Sequence, residues 1–144
     1  MTKPPNLKSA MTPFPYSVQS SAPLEQARQL MERHGVRHLP VTEQRTVVGV
    51  ISDRDLKAVV HSAPAPGAGS ERTVRDLSVS EPYIVDLNQP LADVLLTMAE
   101  RHIGSAIVMK GGKLAGMFTA VDACRCFGEY LREKFPPPGG DEAA

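Results

Sequence analysis

The sequence predicts a mixed α/β to α+β fold in which two copies of one β-α-β-β-α unit, related by a pseudo-twofold, share one core. The stretch Val47-Val48-Gly49-Val50-Ile51-Ser52-Asp53-Arg54-Asp55-Leu56 reads as an apolar β-branched strand, a glycine, then a Ser-x-x-Asp step that caps a helix starting near Asp53. Adding 67 to each number gives Leu114-Ala115-Gly116-Met117-Phe118-Thr119-Ala120-Val121-Asp122-Ala123, again strand, glycine, hydroxyl, and an acid three residues later. The same offset carries Pro15, Tyr16 and Val18 onto Pro82, Tyr83 and Val85, Met31 onto Met98, and Val41 onto Val108 without a gap. So long a match marks a duplicated unit. The copies span roughly 11–60 and 78–127.

Taken in order, residues 1–10 carry Pro4, Pro5 and polar neighbours without periodicity and read as a disordered lead-in. Repeat 1 follows over 11–60. Pro13 and Pro15 keep the chain extended into a short strand at Tyr16-Ser17-Val18. Pro23 suits the first turn of a helix, because its missing N–H would be unpaired there anyway. Leu24, Ala27, Leu30 and Met31 then recur at three-and-four spacing, so an amphipathic helix runs to Gly35. Val36 to Val41 is a strand, with Pro40 suggesting an edge or an irregular end. Glu43-Gln44-Arg45 turns the chain into Val47–Ile51, and a helix covers Asp53 to Val60.

Residues 61–73, rich in Pro, Gly and Ala, read as a linker. Repeat 2 occupies 74–135, opening with a helical turn at Val74–Leu77. Leu91, Val94, Leu95 and Met98 give its first helix face. Strands at Ile103–Met109 and Leu114–Phe118 are joined by the tight turn Lys110-Gly111-Gly112-Lys113. A last helix runs from about Ala120 to Phe135 and stops at Pro136-Pro137-Pro138, leaving 136–144 as a disordered tail.

Composition narrows the function classes. In 144 residues, Lys+Arg and Asp+Glu balance at 16 each, so no bulk charge attracts nucleic acid or an anionic membrane. No apolar run approaches the ~18 residues of a membrane span, and no apolar segment follows the early Lys3 as a signal peptide would require. A cytoplasmic protein is expected, with neither nucleic acid nor membrane as partner. Cys124 and Cys126 point to different faces of a helix and are too few for structural zinc. They read as buried or idle thiols, and no metal site is expected.

The G-h-h-[ST]-x-x-D step after a strand, the upstream Val36-Arg37-His38-Leu39-Pro40-Val41 and the duplication together resemble the cystathionine-beta-synthase (CBS) domain, which occurs in tandem as a Bateman module. The resemblance covers about residues 11–127 and is nearest to small free-standing bacterial pairs. It implies a site for adenosine-containing ligands: AMP first, with ATP, ADP or S-adenosylmethionine as other occupants. The main site would use Asp55 for the ribose, with Val50 and Ser52 beside it. Arg37, His38 and Arg54 would meet phosphate, and Tyr83, Ile103, Gly104, Ser105 and Ala106 would receive the base. A weaker mirror site would use Tyr16, Val36, Met117, Thr119 and Asp122, because Ala120 and Val121 stand where Asp53 and Arg54 stand in the first copy.

The residues themselves leave plainer roles open. Asp55 and Asp122 suit helix N-termini through the helix dipole, and Ser52 and Thr119 cap helices whether or not a ligand binds. Arg37 and His38 can be solvated strand-end residues, and Tyr16 and Tyr83 can pack as well as stack on a base. No catalytic cofactor is implied, and no nucleophile–base or paired-carboxylate arrangement is assembled by adjacent motifs, so catalysis is not expected. The resemblance implies a regulatory adenine-nucleotide sensor acting on an unknown protein, and a homodimer with the helices from Asp53 and Ala120 as candidate interface elements. An interaction scaffold with a vestigial cleft and an S-adenosylmethionine sensor are the alternatives.

Overall fold

The structure, a computed structural model, describes residues 4–14, 16–60, 72–77 and 80–138. In chain order the elements are α1 (Leu7–Ala10), β1 (Thr12–Pro13), β2 (Val18–Gln19), α2 (Leu24–His34), β3 (His38–Glu43), β4 (Thr46–Ser52), α3 (Asp53–Val60), a 3-10 turn (Val74–Asp76), β5 (Ile84–Asp86), α4 (Leu91–Arg101), β6 (Ser105–Lys110), β7 (Lys113–Thr119) and α5 (Ala120–Lys134). They form two units, Pro15–Tyr83 and Met1–Phe14 with Ile84–Ala144. One holds a sheet in the order β2-β3-β4, the other a sheet in the order β1-β7-β6-β5. This is the expected mixed α/β architecture with a doubled unit.

The duplication extends to register. His38 faces Ser52 and Leu39 faces Ile51 across the first hairpin, and Ser105 faces Thr119 and Ala106 faces Phe118 across the second. Each hairpin slips once, between Val41 and Thr42 and between Val108 and Met109, at equivalent points. Val18 pairs in parallel with Val41, as Val85 does with Val108. In each unit the buried strand residues make the core, in runs of three on each hairpin strand: Val18, Leu39, Val41 and Ile51 in one, Val85, Ile107, Val108 and Phe118 in the other. α2 ends where Gly35 adopts a left-handed conformation, φ 64°, and its equivalent His102 ends α4 at φ 55°.

Three expectations need correction. Residues 7–10, read as part of a disordered lead-in, form α1, capped reciprocally by Asn6 and Ser9, with Leu7 and Ala10 buried. The strand expected from Tyr16 begins instead at Val18, and Pro23 stands just outside α2. Pro40 lies in the central strand of its sheet rather than at an edge. It is tolerated because its partner Val50 turns both backbone polar groups the other way, to Ser80 at 3.2 Å each. No ladder bond is therefore asked of the proline on that side. Most of the linker and residues 139–144 of the tail lie outside the described residues.

The leader of each hairpin also comes from an unexpected place. Thr12 and Pro13 pair with Met117 and Gly116 of β7, while Ser80 bridges Val50 of β4. Gly116 is required by this approach: a Cβ there would run into the Thr12 carbonyl oxygen and stand 3.1 Å from the Phe14 nitrogen.

Candidate functional site

The start of α3 gathers five of the anticipated residues in one unit. Asp55 accepts the Ser52 N–H at 2.8 Å through Oδ2, and the Asp55 N–H donates to Ser52 Oγ at 3.2 Å, a reciprocal cap. The Asp53 N–H donates to the Arg37 carbonyl at 2.9 Å, which brings the residue before β3 against the helix start. His38, opposite Ser52 in the ladder, is half-buried. Burial pushes its imidazole below the ordinary value of 6.5, with the Asp53 and Asp55 carboxylates pulling the other way. Arg54 and Arg37 are exposed.

Two features make this corner suitable for an anionic ligand with hydroxyl groups. Among the described residues Asp55 Oδ1 accepts no hydrogen bond, and neither Arg37 nor Arg54 joins an ion pair. An exposed guanidinium can grip phosphate, and a carboxylate oxygen can accept a sugar hydroxyl. The backbone N–H groups of Asp53 and Asp55 at the helix start are already taken.

The equivalent corner at the start of α5 is closed. Asp122 is only 3% exposed. Its Oδ2 accepts the Thr119 N–H at 2.9 Å, while Oδ1 accepts the Thr12 hydroxyl at 2.9 Å and lies 3.4 Å from Arg125 Nη1. Arg125 Nη2 also donates to the Ala10 carbonyl at 2.8 Å. Sequence reasoning missed Thr12 and Arg125. The Asn6-x-x-Ser9 pair ahead of them was the one local sign that this segment is ordered.

The remaining candidates divide between the units. Val50, Ala106 and Met117 are core residues of their sheets, with Val50's backbone groups engaged by Ser80, so their side chains do not face solvent. Tyr16 is exposed and stacks on His34 with ring centroids 4.4 Å apart. Tyr83 and Val36 are half-buried in the same unit. Ile103, Gly104 and Ser105 precede or open β6 in the other unit. Gly104 has no described atom within 4 Å of the place a Cβ would occupy, and its φ is ordinary. Neither packing nor backbone conformation therefore requires a glycine there.

Away from these corners, α4, α5 and the Pro4-Pro5 segment border an apolar groove of about 620 Å³, lined among others by Leu95, Cys124, Phe127 and Tyr130. Both cysteines are free thiols. Cys124 is exposed, not buried, and burial raises the pKa of the half-buried Cys126. Among the described residues there is no cluster of three or more His, Cys, Asp or Glu able to hold a metal, and no helix long and apolar enough to cross a membrane.

Comparison with known proteins adds three findings. The CBS domain model matches twice, at residues 7–62 and 74–129. An inosine-5'-monophosphate dehydrogenase from Thermoplasma acidophilum is 29% identical over 126 residues, 88% of this chain; the chain spans 23% of that enzyme's length. Two solved structures share the fold. The CBS domain pair of protein MJ0100, in complex with 5'-methylthioadenosine and S-adenosyl-L-methionine, superposes with a TM-score of 0.71 at 20% identity, covering 89% of this chain and 99% of its own. The CBS domain of a bacterial CNNM/CorC-family Mg2+ transporter, in complex with ATP, gives 0.68 at 24% identity, covering 85% of this chain and 87% of its own.

Proposed function

This chain belongs to the CBS-domain family, and on that premise we propose that it is a regulatory module that binds an adenine nucleotide and has no catalysis of its own. The single observation that carries the reading is the corner at α3, where one Asp55 carboxylate oxygen accepts no hydrogen bond among the described residues and Arg37 and Arg54 are exposed. Asp55 takes the ribose hydroxyls, and the two arginines with His38 take phosphate. Relatives of the same fold hold ATP or adenosyl compounds, which supports the adenosine part of the assignment. The arginines favour AMP, ADP or ATP over S-adenosylmethionine, whose sulfonium they would repel. A weaker position at Thr119 and Asp122 belongs to the same reading.

Binding acts by linkage: a nucleotide that prefers one arrangement of the chain shifts the population toward it, and a partner protein reads the shift. The module works as a homodimer, in keeping with the apolar side chains that α5 and the residue after it leave exposed, Val121, Phe127, Leu131 and Phe135 among them. Isothermal titration with AMP, ATP and S-adenosylmethionine at up to 1 mM (roughly the weakest affinity worth calling specific) tests the proposal. Saturable heat with AMP or ATP that weakens about tenfold or more in Arg54→Gln is expected. Absence of heat for all three refutes it.

A further inference from the structure

The two capping acids differ in one contact that local sequence cannot supply. Asp55 Oδ1 accepts nothing among the described residues, whereas Asp122 Oδ1 accepts the hydroxyl of Thr12, 110 residues away in sequence. We propose that the segment from Leu7 to Phe14 is a built-in strap that inhibits the second adenosine position: the Thr12 hydroxyl sits on the carboxylate oxygen that a sugar hydroxyl would take. This rests on the adenosine reading above and adds its regulation.

The strap is a constructed feature. Leu7, Ala10 and Phe14 are buried, anchoring it from both ends. The Phe14 N–H donates to the Ala115 carbonyl at 3.3 Å, and Gly116 lacks the side chain that would hold Thr12 away from β7. Arg125 clamps strap and acid together, donating to the Ala10 carbonyl at 2.8 Å while its other terminal nitrogen lies 3.4 Å from Asp122. By the offset of 67, the first copy has Ala58 at the place of Arg125, so this clamp is particular to the second copy. With the acid sealed at 3% exposure, a ligand must turn the Thr12 hydroxyl aside or lift β1 before it can reach Asp122. The position so opened suits an uncharged nucleoside, because Val121 replaces the phosphate-facing Arg54.

Equilibrium dialysis with radiolabelled adenosine on the full chain tests this. Wild type and Thr12→Ser, which keeps the hydroxyl, bind at one position per chain. Thr12→Val, which keeps the shape and loses the hydrogen bond, binds at two, the second tightened about 10- to 100-fold by removal of a charge-assisted competitor. Thr12→Ala gives the same result by a different side chain. The double variant Asp55→Asn/Thr12→Val isolates the second position and retains it. A single position in Thr12→Val and Thr12→Ala, with wild type still binding one, overturns the strap and leaves the sensing proposal standing. No binding to wild type together with binding to the double variant refutes the main site and upholds the strap. Adenosine bound by none of the variants refutes both.

Discussion

Replacing Asp122 by alanine should destabilise the protein far more than replacing Asp55, although the two acids occupy equivalent places in the duplication. In Asp122→Ala the Thr119 N–H and the Thr12 hydroxyl each lose an acceptor at a point almost closed to water. A buried donor left unsatisfied costs about 1–2 kcal/mol, so the pair costs about 2–4 kcal/mol. The Arg125 contact adds little, since its side chain is half exposed and screened by solvent. In Asp55→Ala only the Ser52 N–H is released, at a half-buried cap that water can reach, for about 0.5–1 kcal/mol. The difference is about 1–3.5 kcal/mol. With a urea dependence of about 2 kcal/mol per molar, the midpoint of Asp122→Ala should fall about 0.5–1.8 M below that of Asp55→Ala. The assay is urea unfolding followed by far-ultraviolet circular dichroism and tyrosine fluorescence, the chain having no tryptophan. Midpoints within about 0.3 M of each other would show that Asp122 is not the sealed, doubly bonded group described above.

Three further outcomes follow from the same structure. Gln44 and Arg45 form a left-handed two-residue turn at φ 50° and 70° where the second copy has Gly111 and Gly112, and His102 replaces Gly35 at a left-handed helix end. Relief of about 1–2 kcal/mol of steric cost, less about 0.5–1 of glycine entropy, leaves Arg45→Gly and His102→Gly each more stable by roughly 0.5–1 kcal/mol in urea unfolding. Gly116→Ala should cost about 1–3 kcal/mol by overpacking against the strap, while Gly104→Ala, with nothing within 4 Å of the added Cβ, leaves the stability within about 0.5 kcal/mol. His38, whose folded-state pKa lies below its unfolded value, binds its proton more readily when unfolded, so its contribution is complete above pH 6.5 and is lost as pH falls through the lower folded value. A urea midpoint that drops from pH 7.5 to 5.5, and drops less in His38→Asn, is the expected result.

Much of this was legible in the sequence because the hairpins carry their own instructions. Apolar β-branched runs, the Gly-Gly turn and the Ser-x-x-Asp and Thr-x-x-Asp caps are local, and the offset of 67 reproduces even the slip between Val41 and Thr42 at Val108 and Met109. The belonging of the short leaders was not legible. A strand of two residues such as Thr12–Pro13 has no pattern that selects a sheet, and its pairing with β7, far along the chain, goes with the burial of its neighbours Leu7 and Phe14. Pro40 misled for a related reason: an edge preference holds only where the missing N–H would have had a partner, and Ser80 had already turned Val50 away. At the site, Ser52, Asp55, Arg37 and Arg54 were identifiable as a helix-start cluster. The inequality of Asp55 and Asp122 came mainly from Thr12, a contact between residues 110 apart that no local spacing announces.

Native mass spectrometry of the purified chain with AMP, beside Asp55→Asn, tests the assignment of the ligand most directly. Asparagine still accepts the Ser52 N–H and so keeps the cap, but it removes the negative charge that holds the sugar. One nucleotide per wild-type chain, largely lost in Asp55→Asn, is the predicted spectrum. Equal occupancy in the two proteins, or none in either, would contradict the assignment.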